Sequence, residues 1–144
     1  MPSSKLLQTV PVLLFSSLVQ AQPITGVYDS SHKFPTNLGK ESNQILLTYR
    51  SFNNSVAMSA CKYHCRTEYL NNERTNDEVK KKIYKSLSGN RLIQLNNVQW
   101  LYLTSDKQSR LFTLGDHTEQ NLYSLTTAVK AVKKQHSALF DPAQ

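Results

Sequence analysis

Cys61 and Cys65 are the chain's only two cysteines. With His64 between them they are its most reactive cluster. The C-x-x-x-C spacing supports three chemistries. In oxidising surroundings the pair closes into a local disulfide. A helix would hold residues four apart at about 6 Å, within the range a disulfide spans, and so small a ring stabilises by roughly 2 kcal/mol. Left open, the thiols could couple between molecules. With His64 they could instead serve as a thiol or metal carrier. That last set is thin, because it offers two thiolates and one imidazole, and on a helix His64 points about 100° away from Cys65.

Acid–base chemistry has fewer candidates. His32, His64, His117 and His136 are scattered along the chain. A metal-free hydrolase of an anionic polymer needs a general base, a general acid and a cation near the phosphate. His64, His117 and Lys62 can be named for those roles, although no spacing selects them. The close carboxylates are Glu68 with Glu73 and Asp77 with Glu78. The second pair has a simpler use at a helix start. The chain contains no phosphate-cradling glycine loop, no nucleophile elbow, no H-E-x-x-H and no calcium loop. No catalytic residue, metal site or cofactor is expected.

Positive charge is the other chemical resource. There are 17 Lys+Arg against 10 Asp+Glu, a formal net charge of +7. Lys80, Lys81, Lys82 and Lys85 form one cluster; Lys130, Lys133 and Lys134 form another. Without interleaved aromatics such clusters suit an acidic protein or an anionic surface and carry no specific nucleic-acid reading. Asn53-Asn54-Ser55 is an N-x-S sequon, the acceptor pattern for N-linked sugar in chains that pass through a eukaryotic secretory route.

The elements that must hold these residues follow from periodicity. Ile24–Tyr28 suggests an edge strand within a loop-rich arm spanning 22–43. Gln44–Ser51 has the β-branched and aromatic content of a strand. Residues 55–70 fit a helix or a strand, with helix slightly preferred on composition. Thr75–Ser88 reads as a helix with a Thr75/Glu78 capping box, a Val79/Ile83/Leu87 stripe and Gly89 as its terminator. A meander over Arg91–Leu95, Val98–Thr104 and Ser109–Leu114 follows, turning at Asn96-Asn97. A last helix is expected over Thr118–His136, with Leu122, Leu125, Val129 and Val132 inward and its lysines near the negative end of the dipole. The expected fold class is α+β: a small antiparallel sheet of about four strands with two or three helices packed on one face.

The N-terminus carries an export pattern. Lys5 precedes an apolar run through Leu18, and Val19 and Ala21 stand at −3 and −1 of a cleavage site. Residues 1–21 are expected to be a signal peptide and 22–144 a single domain without a transmembrane span. The location would be the bacterial periplasm or the extracellular space. The expected function is a small exported, basic, non-catalytic protein that binds another macromolecule, of inhibitor, immunity, accessory or adhesin type. The histidine hydrolase and the Cys61/Cys65 carrier stand as alternatives.

Overall fold

The computed structural model describes residues 23–30, 44–61, 64–73 and 82–140. The expected signal peptide, residues 31–43 of the arm, and His32, Lys62, Lys80 and Lys81 lie outside the described residues. So does the first half of the expected helix over 75–88, with its Thr75/Glu78 capping box.

The architecture is a closed antiparallel barrel of eight strands in sequence order. The strands are β1 (Gly26–Ser30), β2 (Gln44–Arg50), β3 (Ser55–Cys61), β4 (Cys65–Asn72), β5 (Ile83–Lys85), β6 (Arg91–Gln94), β7 (Gln99–Leu103) and β8 (Ser109–Leu114). The ring closes where Tyr28 opposes Leu114 and Ser30 opposes Phe112. Among the described residues there is one α-helix, α1 (Leu125–Gln135), which packs outside against β7 and β8 and is followed by a 3-10 turn over Ser137–Phe140. This corrects the α+β expectation. A sheet that closes on itself needs no layer of helices, because its own curvature buries the inner face and leaves no open edge.

Two segments changed class. Residues 55–72 form a hairpin, because Val56, Met58, Ala60 and Leu70 alternate inward and are all buried. Alternation at period two outweighed helix-forming composition. Ile83–Lys85, expected to be helical, is a strand: Tyr84 faces the barrel core, while Ile83 joins the layer beneath α1. Leu87, assigned to a buried stripe, is fully exposed at the β5–β6 turn. Gly89 supplies a positive φ of 91° to that turn instead of ending a helix.

The two cores explain β7. Trp100 and Tyr102 point into the barrel with Tyr28, Tyr84, Phe112, Met58 and the aliphatic residues of β2–β4. Leu101 lies outside, under Ala128 and Val132 of α1, together with Ile83 and Ile93. All five residues of β7 are therefore buried. A strand covered on both faces needs a near-continuous apolar run, which Trp100-Leu-Tyr-Leu103 provides.

The last helix starts seven residues later than expected. Gln99 is buried, and its amide donates to the Tyr123 carbonyl at 3.0 Å and accepts from the Tyr123 N–H at 2.8 Å. That bidentate grip holds Tyr123 extended. Ser124 then caps the helix, with its hydroxyl and that of Thr127 exchanging bonds with each other's backbone N–H. Leu122, expected to pack inward, is left largely exposed.

Burial raises the Tyr28, Tyr84 and Tyr102 hydroxyls above their ordinary pKa near 10. Tyr84 is pushed up to about 12, with the nearby Tyr49 adding to the desolvation. Tyr102 goes further, because the Glu68 carboxylate opposes its ionisation and accepts its proton at 2.9 Å. The folded chain thus keeps protons that the unfolded chain gives up above pH 10. Stability from this source is complete below about pH 10 and is lost as pH rises toward 12. Denaturant midpoints should be level up to about pH 10 and fall beyond it. Midpoints unchanged at pH 12 would show that the three hydroxyls ionise in the folded state.

Candidate interaction surface

Cys61 and Cys65 are joined by a disulfide, with their Cα atoms 4.0 Å apart. They are directly opposed residues at the mouth of the β3–β4 hairpin, not neighbours on a helix. The bond ties the ends of the two strands and leaves no free cysteine among the described residues. His64 sits exposed in the connection between them. The unreduced protein should weigh two hydrogens less than the dithiol form and should resist thiol reagents under native conditions. Reduction should cost about 2 kcal/mol by the loop-entropy estimate. Quantitative labelling of the native protein would show that the thiols are open.

The barrel keeps the named histidines apart. His64 lies at the end formed by the β3–β4, β5–β6 and β7–β8 connections, whereas His117 follows β8 at the opposite end. A six-residue strand spans about 20 Å, so the two cannot serve one substrate bond. His136 is at the C-terminal end of α1. No described cluster of His, Cys, Asp or Glu is arranged to hold a metal ion.

Of the first lysine cluster, Lys82 and Lys85 are among the described residues. Lys82 and Lys85 are exposed but lie at and beside a strand, not along one helix face. Lys130, Lys133 and Lys134 are exposed on α1, on the side turned from the barrel.

The wall opposite α1 has the stronger features, and sequence reasoning did not single it out. β1–β4 present one outward row of Val27, Leu46, Ser59 and Thr67 and another of Thr48, Ala57 and Tyr69. Val27, Leu46 and Tyr69 are each about half exposed, and Phe52, in the β2–β3 turn, is 77% exposed. The Arg50 guanidinium carbon lies 4.9 Å from the Phe52 ring centre and 5.2 Å from that of Tyr69. Each such contact is worth about 0.5–1 kcal/mol at an exposed site, which orients the cation between two aromatic surfaces. A Ser59–Thr67 hydroxyl pair at 2.9 Å continues the Val27–Leu46 row across β3 and β4. The signal available in the sequence was the alternation Leu46-x-Thr48-x-Arg50. Once its partners Ile45 and Leu47 are inside, this strand must carry a leucine and an arginine on its outer face.

This arrangement can bind but contains no acid–base pair. Tyrosine, phenylalanine and arginine are enriched in interfaces, because the rings bury large area with few rotatable bonds and the planar guanidinium brings a fixed charge that pairs with carboxylates. Among the described residues no helix is long and apolar enough to cross a membrane. No protein-family model, curated protein or solved structure matches the chain.

Proposed function

We propose that the protein is an exported, non-catalytic binding protein whose β1–β4 wall, which no helix among the described residues covers, takes an acidic protein partner. The observation that carries this reading is the Arg50–Phe52–Tyr69 cluster, in which a half-buried guanidinium lies between two exposed rings on the wall that carries Leu46 and Val27 and that α1 leaves bare. A partner carboxylate would meet the Arg50 guanidinium, and apolar side chains beside it would cover the two rings and Leu46. The net charge of +7 supports an acidic partner by drawing it in from a distance. The disulfide supports export into an oxidising compartment. It also argues against the thiol-carrier alternative. The separation of His64 from His117 removes the geometry that the hydrolase alternative needs.

A partner captured from the native compartment should be purified and titrated against variants. Arg50→Glu and Tyr69→Ala should each weaken binding by about 30-fold, the equivalent of a 2 kcal/mol hot spot. Lys133→Glu, on the other side of the barrel, should change it by less than about threefold at physiological salt. The reverse pattern, with the helix lysine decisive and the wall silent, would move the site to α1 and overturn the assignment.

A further inference from the structure

We propose that Asn53 is the acceptor of an N-linked glycan at the rim of this wall, an assignment that rests on the export part of the reading above. Asn53-Asn54-Ser55 is the chain's single N-x-S/T sequon. The fold sets it in the β2–β3 turn, directly after the most exposed aromatic residue of the wall, Phe52. Such acceptors belong on surface turns, where a bulky hydrophilic group displaces no packing.

The turn is rigid. Asn54 adopts a φ of 49°, which asparagine tolerates better than other non-glycine residues. Its Oδ1 accepts hydrogen bonds from the Tyr49 hydroxyl at 3.0 Å and the Tyr84 hydroxyl at 3.1 Å. The central residue of the sequon is thereby anchored to the barrel's inner wall on both sides of the turn.

The Asn53 amide is divided between two uses. Its Oδ1 accepts from the Ser55 hydroxyl at 2.6 Å. No described residue accepts from its Nδ2. Glycosylation replaces one N–H at Nδ2 and leaves Oδ1 as an acceptor, so the folded turn keeps its hydrogen bond after modification. The transfer uses a lipid-linked oligosaccharide diphosphate as donor. A bond forms between Nδ2 and C1 of the first sugar, and the C1–O bond to the diphosphate breaks. The lipid diphosphate departs with that electron pair, and the transferring enzyme takes up one amide proton. The hydroxyl at Ser55 is the group a sequon must supply two residues on.

The test uses the full chain made in a eukaryotic secretory host in two forms, one with residues 1–21 and one with an established leader in their place. All protein inside the secretory route is scored, secreted or retained, so a poorly folding variant still reports. In the second form, treatment with a peptide N-glycanase should increase mobility by one glycan step and convert Asn53 to Asp. Asn53→Gln and Ser55→Ala should run at the deglycosylated position without treatment, while Ser55→Thr should still shift. An unshifted parent, or a shift that persists in Asn53→Gln, overturns the proposal. Exclusion of the first form from the secretory route would overturn the export reading and leave the glycan result standing.

Discussion

Trp100→Ala should lower stability by about 3–5 kcal/mol, the usual cost of removing a large buried aromatic. Trp100 is 1% exposed, meets Tyr84 edge-on at 5.6 Å between ring centres, and occupies the middle of the barrel interior. The interior of an eight-stranded barrel is just wide enough for side chains to fill. A hole at its centre cannot be closed by shifting one strand, because every strand is hydrogen-bonded on both sides. Far-UV circular dichroism through a denaturant titration checks the loss, since Trp100 is the only tryptophan and its fluorescence disappears with it. Trp100→Phe separates volume from polarity. The buried Nε1 lies near the Tyr28 oxygen but has no acceptor in good geometry, while the Tyr28 hydroxyl itself donates to the Ile24 carbonyl at 2.6 Å. An unpaired buried N–H carries a penalty of about 1–3 kcal/mol, which the phenylalanine relieves. The Phe variant should therefore lie within about 1.5 kcal/mol of the parent. A Phe variant as unstable as the Ala variant would show that Nε1 has an acceptor after all.

Val132→Asp should cost about 3–5 kcal/mol, because it leaves a charge uncompensated in apolar surroundings. Val132 is 4% exposed and packs in the layer with Ile83, Ile93, Leu101 and Ala128. The introduced carboxyl would have its pKa raised by desolvation, so the penalty should shrink as pH falls and the neutral form takes over. Thermal melts of parent and variant at pH 7 and pH 4 measure both effects. Lys133→Glu is the control: it is exposed, and it should cost only about 0.3–1 kcal/mol through the helix dipole. A Val132→Asp protein as stable as its parent would mean that α1 does not cover the barrel. A loss of about a fifth or more of a domain's typical 5–15 kcal/mol is expected instead.

Legibility followed the range of the interactions involved. Gln44–Arg50 was visible as a strand because it buries Ile45 and Leu47 and exposes Gln44 and Leu46 within its own length; Ser109–Leu114 was visible by its residue types, although both its faces are covered, Phe112 by the barrel core and Leu111 by the layer beneath α1. The Asn96 turn was visible because its side chain acts on its own backbone, accepting from the Val98 N–H at 2.9 Å. Residues 55–70 were misread because alanine, methionine, lysine and glutamate favour helix only when no neighbour competes, and here β2 and β4 both do. Of the candidate site, Arg50 and Tyr69 were unreadable as a pair. They are nineteen positions apart in the chain and meet only because β3 sets β2 and β4 in register.

The residue pattern alone determined which stretches are apolar every second residue, where the chain turns, and that the last helix buries Val132; it left the pairing of Cys61 with Cys65 as one of three readings, which the structure decided. Tertiary structure decided three other things. Closure of β1 onto β8 turned separate strands into a barrel and made a layer of helices unnecessary. The Gln99 grip on Tyr123 set where the helix begins. The placement of α1 over β7 and β8 determined which wall the helix covers and which it leaves bare. The physical reason is the same in each case. Period and turn chemistry act within a few residues, whereas closure and covering depend on which side of a curved sheet a distant segment can reach.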